Sequence, residues 1–244
     1  PLFTGWVSLA EYRAGHPLAG YAHLMQNADL TWSQDLGNVT ELLSGQYFQV
    51  LGRSTEHQLW SSAMVISPVL RGLFGLEWNA ASNTLIVTPH LPADWNSATV
   101  RRIPLGNSTV DLTFTRQGSE WLITISGTDI KLASHSPRAL ITGATLHIPV
   151  PPVEVFIPAS LPAPGAQTEQ MKVLDEQRTP HSLTLTLSAP GSSTQTFSLR
   201  ENTPHLHLAI AHAAAGSERD GLRPTTVQFP AGPGYVTQTV TFSW

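Results

Sequence analysis

The sequence predicts an α+β chain, helical up to about residue 75 and β-rich beyond it. Three observations predict this. Apolar residues recur at helical spacing as far as Phe74. At Gly75 the period changes, and Thr109-Val110-Asp111-Leu112-Thr113-Phe114-Thr115 alternates strictly, with its apolar residues on one face. The 18 Gly and 19 Pro among 244 residues supply the frequent turns that sandwich-type β-structure needs.

Residues 6–14 carry the first helical pattern, in Trp6, Leu9, Ala10 and Arg13, and Gly15 and Pro17 break it. From 18 to 30 the spacing returns in Tyr21, Ala22, Leu24, Met25 and Ala28. A loop follows over 31–37. Ser54 or Thr55 is placed to cap a third helix running to Phe74, with Leu59, Trp60, Met64, Ile66, Val69 and Leu73 on nearly every side. A helix apolar all round is expected to be buried, and Pro68 is expected to kink or restart it. Strands are expected at 84–88, 109–115, 121–125 and 146–150, the middle two joined by a turn at Gln117-Gly118-Ser119. Residues 151–182, rich in Pro, Ala, Gln and Glu, read as a linker or surface loop. The β-pattern resumes where Leu183, Leu185 and Leu187 alternate with Thr184 and Thr186, and it closes the chain over 236–244. No repeat of fixed period is present.

Composition excludes several classes. A hydrophobic fraction of 41% with only 12% charged residues is not that of a disordered chain. Net charge is −4 and the 13 basic residues are scattered, which argues against nucleic acid as a partner. No apolar run is long enough to span a bilayer, so no membrane is expected. The absence of cysteine rules out disulfides and thiolate metal sites. His205, His207 and His212 read as surface histidines, since no Asp or Glu beside them completes a ligand set. No metal or cofactor is therefore expected. The segment from Pro1 to Trp6 lacks Met, a basic n-region and an apolar signal core, and reads as interior sequence of a longer protein. A periplasmic or extracellular location fits the low charge and the β-rich modules.

Chemistry concentrates in the first quarter. Thr40-Glu41-Leu42-Leu43-Ser44-Gly45 places one carboxylate in a Gly/Ser-rich loop between helical patterns. His57-Gln58-Leu59-Trp60-Ser61-Ser62-Ala63 follows. A carboxylate can activate water, an indole can stack on the apolar face of a pyranose, and an amide can bond hydroxyls. The set suits a sugar pocket.

These residues resemble motifs of bacterial glycoside hydrolases with an (α/α)6 catalytic barrel, of the glycogen-debranching or amylo-α-1,6-glucosidase type in the trehalase-like clan. There, a loop motif like Thr40, Glu41, Leu42, Leu43 and Gly45 precedes a helix opening like Gln58, Trp60 and Ser61. A Gly-Leu pair and a strand ending like Pro89-His90-Leu91-Pro92-Ala93-Asp94-Trp95 come next. The resemblance fades after about residue 130. It implies that residues 1–75 are the last helices of an (α/α)6 barrel, the rest coming from an N-terminal portion of the same protein or from a second chain. Two β-sandwich-like β-rich modules would follow, at 76–150 and 183–244, with 151–182 between them. It also implies an oligo- or polysaccharide substrate with α-glucosidic or related linkages, cleaved by inversion. Glu41 would be the general base and the general acid would lie outside this chain.

Each assignment has a plainer reading. Glu41 fits the start of a helix as well as a catalytic base. Trp32, in a loop, and Trp60, in an apolar helix, are either sugar platforms or packing residues. His57, Gln58 and Arg53 either bind sugar hydroxyls and carboxylates at a rim or are solvated residues at a helix start. Glu11 reads as solvated or ion-paired and Asp35 as a turn residue. The competing function is a non-catalytic carbohydrate-binding or extracellular structural β-sandwich protein.

Overall fold

The computed structural model describes residues 1–33, 35–126 and 130–244. Gln34, part of the expected loop at 31–37, lies outside the described residues.

The first helical pattern forms α1 (Thr4–Ala14). Gly5, Ser8, Leu9 and Tyr12 are its buried stripe, spaced three and four apart so that they share a face. Gly15 ends it, its N–H bonding the carbonyls of Glu11 and Tyr12. Pro17 opens α2 (Pro17–Asp29), where its fixed φ suits a first turn and its missing N–H leaves no bond unmade. Ser8 Oγ donates to the Gly20 carbonyl at 2.7 Å and ties α2 to α1.

The third helix, α3 (Leu59–Pro68), starts later than the sequence predicts. Gln58 is its N-cap, its side chain accepting from Trp60 N–H at 3.4 Å. Ser54 is committed elsewhere: its Oγ accepts from Leu42 N–H at 2.8 Å and lies 2.8 Å from Thr40 Oγ1. Pro68 ends the regular helix, and the chain continues as one π-helical turn, Val69–Leu73. Nor is α3 buried on all sides. Ser61, Met64 and Pro68 face inward, whereas Leu59 is 83% and Ile66 60% exposed.

Gly75 turns the chain from helix to sheet at φ 59°, and a Cβ there would fall 1.8 Å from the Thr88 carbonyl oxygen. Eight strands follow: β1 (Leu76–Asn79), β2 (Thr84–Val87), β3 (Ser97–Leu105), β4 (Ser108–Gln117), β5 (Glu120–Ser126), β6 (Lys131–Ala133), β7 (Leu140–Thr142) and β8 (Thr145–Pro149). They make a three-stranded sheet ordered β1-β2-β6 and a five-stranded sheet ordered β3-β4-β5-β8-β7. The alternation in β4 buries Val110, Leu112 and Phe114, and Gln117 pairs with Glu120 across the expected hairpin turn.

The second half adds β9 (Val153–Phe156), β10 (Lys172–Thr179), β11 (Ser182–Pro190), β12 (Thr194–Glu201), β13 (Ala209–Ala211), β14 (Ala214–Ala215), β15 (Arg223–Gln228) and β16 (Tyr235–Ser243). Two four-stranded sheets, β10-β11-β16-β13 and β14-β15-β12-β9, enclose a core that includes Val155, Leu183, Leu185, Phe197, Val240 and Phe242. The 151–182 segment thus contributes two paired strands to this sandwich, β9 beside β12 and β10 beside β11. A polar seam joins the halves. Arg200 Nη1 donates to Asn96 Oδ1 at 2.9 Å, and Arg116 Nη1 to Asn202 Oδ1 at 3.2 Å.

The helices are not the end of an (α/α)6 barrel, and that expectation is corrected. Strands make up 41% of the structure, with three short helices among the described residues. The reason lies in what the helices bury. Tyr12, Leu24, Leu73 and Phe74 enter the same core as Leu85, Val87, Leu112 and Phe114, so the helices form a layer on a β-sandwich. The result is a β-rich protein with a helical cap at its N-terminal end. Among the described residues no helix is long and apolar enough to cross a membrane.

Candidate functional site

The loop before α3 is held by backbone bonds. Glu41 N–H donates to the Thr55 carbonyl at 2.9 Å, and the Glu41 carbonyl accepts from Leu2 N–H at 3.3 Å. Leu43 bridges to Val50. Two further bonds clasp the loop to the second sandwich: Phe48 N–H to the Ala166 carbonyl and Gly165 N–H to the Phe48 carbonyl, both 2.8 Å. The Glu41 side chain is half-buried and makes no ion pair among the described residues.

The other sequence candidates are only partly gathered around it. His57 pairs with Asp35, which also accepts from Asn38 Nδ2 at 2.9 Å. Gln58 is occupied as the α3 cap. Arg53 is exposed in a turn and forms no ion pair among the described residues. Trp32 is 78% exposed in a short 3-10 turn at the end of α2. Trp60 packs with Phe3 and Trp6, at ring-centroid distances of 5.8 and 5.4 Å, and Phe3 meets Trp6 at 5.5 Å. These three rings, with Val7, Leu59 and Ile66, give α1 and α3 an exposed apolar surface. Glu11 is paired with His16 at 3.0 Å.

Two hollows adjoin the motif loop. A small one of about 270 Å³ takes in Phe3, Val7, His23 and Leu42. A larger cleft of about 630 Å³ lies between α2, residues 43–48 and the segment 157–174. Glu41 itself lines neither; its neighbours Leu42 and Leu43 do. Leu43, Ser44 and Gly45 of the motif line the larger cleft, but its amides Gln26, Asn27 and Gln170 carry no motif, so the cleft was not visible in the sequence. Gln26 Nε2 donates to Gln170 Oε1 at 3.4 Å, bridging α2 to the second sandwich, and Gln170 Nε2 in turn donates to Ser160. Tyr235 Oη donates toward the Gln170 and Thr168 carbonyls, at 2.9 and 3.0 Å, and fixes that wall. Asn27, 1% exposed, forms part of the α2 side, and its Nδ2 has no hydrogen-bond partner among the described residues. A buried donor left so costs about 1–3 kcal/mol. Burial holds the His23 imidazole pKa below its ordinary value and so favours the neutral ring.

A third crevice, about 220 Å³, lies between the sandwiches and takes in His90, Glu176 and Arg178. Its polar groups are internally matched. Glu176 meets Arg178 at 3.2 Å and Leu18 N–H at 3.4 Å. His90 Nδ1 donates to the Gly72 carbonyl at 3.0 Å.

Among the described residues no group of three or more His, Asp or Glu is arranged to hold a metal ion. No protein-family model, curated protein or solved structure matches the chain.

Proposed function

We propose that this chain is the part of a glycoside hydrolase that supplies the water-activating base, Glu41, for cleavage of α-glucosidic or related linkages with inversion. The observation that carries the reading is the exposed aromatic face next to the Glu41 loop. Leu2, whose N–H meets the Glu41 carbonyl, directly precedes Phe3 of the Phe3–Trp6–Trp60 cluster. Exposed indoles offer apolar platforms to pyranose rings. An apolar surface of this kind also marks a place where something docks. Cleavage needs a second carboxyl group to protonate the leaving oxygen. In this reading it comes from further polypeptide, of the same protein or a second chain, packed against α1 and α3. The 244-residue chain alone is then inactive.

The test is Glu41→Gln in the assembled protein, with α-linked gluco-oligosaccharides as substrates and the product anomer followed by NMR. Turnover is expected to fall about a hundred- to ten-thousand-fold, with substrate binding kept and with β-anomeric product from the unaltered protein. Unchanged turnover, or loss of turnover together with the fold, removes Glu41 as the base. Turnover by the isolated chain removes the need for a partner carboxyl group.

A second reading, a non-catalytic carbohydrate-binding protein, is favoured by one observation: the sugar-sized cleft lies beside Glu41 without including it. Under that reading the assembled protein shows no turnover, and Glu41→Gln leaves sugar binding unaltered.

A further inference from the structure

We infer that the cleft of about 630 Å³ between α2, residues 43–48 and the segment 157–174 is a binding site for neutral oligosaccharides. The inference rests on the carbohydrate reading above but not on Glu41, and it names the site and the ligand class. Its size lies in the range of about 300–1,000 Å³ typical of small-molecule clefts. The chemistry of its walls selects the ligand. Among the described residues no Asp, Glu or Arg lines it. Lys172, the one charged side chain there, places its Nζ over the Tyr235 ring at 4.3 Å.

The rest of the wall is largely apolar, with Leu30, Leu43, Phe48, Ile157 and Met171 among its residues, and carries amides, hydroxyls and a phenol from Gln26, Asn27, Gln170, Ser44, Thr168 and Tyr47 beside the His23 imidazole. Amides and hydroxyls both donate and accept, which matches a polyol, whose every hydroxyl does the same. A cation would find no carboxylate there, and an anion would find Lys172 alone among charged side chains, its ammonium held against the Tyr235 ring. Asn27 supplies the second observation, a buried donor without an acceptor among the described residues. That nitrogen is closed to solvent, so a sugar hydroxyl seated against α2 becomes its acceptor only when the Asn27 side chain turns toward the cleft. Tyr47, 43% exposed on the rim, has a free ring for the apolar face of a pyranose. The Gln26–Gln170 bond is long at 3.4 Å, so either amide can turn to a ligand at small cost.

The experiment is calorimetric titration of the 244-residue chain with maltohexaose, cellohexaose and, as the charged comparison, hexagalacturonate. Binding of at least one neutral hexaose is expected, and hexagalacturonate should bind more weakly. Tyr47→Ala and Gln170→Ala should each weaken the neutral ligand roughly tenfold with the melting temperature unchanged, the size of one lost stacking or hydrogen-bonding partner. Asn27→Ala should do the same. Because Asn27 is buried, the rim variant Tyr47→Ala decides the matter if that protein fails to fold. The inference is overturned if no neutral hexaose binds, if the acidic one binds best, or if Tyr47→Ala and Gln170→Ala bind as the unaltered chain does. It is also overturned if Trp60→Ala abolishes binding while Tyr47→Ala leaves it intact, which would move the site to the aromatic face. Turnover is not read in this experiment, so failure of the cleft and failure of Glu41 as a base are scored separately.

Discussion

Arg116 and Glu154 meet at the junction of the two sandwiches, Nη1 2.7 Å from Oε2, with the two side chains only 4% and 13% exposed. Arg116 also donates from Nε to the Trp95 carbonyl at 3.1 Å and lies over the Trp121 ring at 4.6 Å. Asn202 Nδ2 donates to the same Glu154 oxygen at 2.7 Å. Strand β4 of the first sandwich and β9 of the second are thus joined through a nearly dry ion pair. Removing one partner strands the other charge away from water. Arg116→Ala or Glu154→Ala is expected to cost about 3–5 kcal/mol, read as a lowered urea midpoint. A change under about 1 kcal/mol would mean that the pair is solvated and does not join the sandwiches.

Stability should also depend on pH through His90. Burial lowers its pKa from the ordinary 6.5, outweighing the bond to the Gly72 carbonyl and the charge of Glu176, both of which raise it. Between the lowered folded value and 6.5 the unfolded chain therefore holds more protons than the folded one, and stability rises with pH across that window. Acidification from pH 7 through that window should lower the unfolding free energy. His23, lowered by the same cause, adds in the same direction. His90→Gln should flatten the profile, as measured by urea unfolding at a series of pH values; an unaltered slope would show that His90 is already solvated.

The joint at Gly75 allows a sharper test. Its φ of 59° and the Thr88 carbonyl 1.8 Å from the position of a Cβ leave no room for a side chain. Gly75→Ala is expected to destabilise by more than about 1 kcal/mol and to lower the melting temperature. Gly118→Ala, which also has positive φ but no atom within 4 Å of a Cβ, should cost less. Equal effects at the two positions would show that dihedral strain alone, and not crowding, governs the joint.

The exposed face of α3 separates folding from assembly. Leu59→Glu and Ile66→Glu place charge on side chains already in water, so thermal melts of the isolated chain should change little, within about 0.5 kcal/mol. The same changes should sharply reduce turnover of the assembled hydrolase proposed above. Full turnover in both variants would detach this face from the docking role.

The strands were legible because their signal is local. Val110, Leu112 and Phe114 alternate with polar neighbours, and the turn after Gln117 closes the hairpin within a few residues. The α3 burial was misread because a helix apolar on all sides does not state which side its own chain covers. Its start was misread because Ser54 spends its hydroxyl on Leu42 and Thr40, a contact 12 and 14 residues back that no capping rule contains. The barrel expectation followed motifs around Glu41 and Trp60. It could not see that Tyr12 and Phe74 insert among strands further along the chain. The amides of the cleft were silent for a related reason. Asn27 and Gln170 are unremarkable in sequence and acquire meaning only when folding brings α2 against the second sandwich.

Because Phe48 exchanges both of its backbone bonds with Gly165 and Ala166, the motif loop depends on a stretch of chain made well after it. A ribosome that has not yet released residues 165 and 166 leaves those two groups open to water. The segment bearing Glu41 then settles late in synthesis, and a truncation between the end of β8 and residue 165 removes both bonds while keeping the strands on which the helices pack.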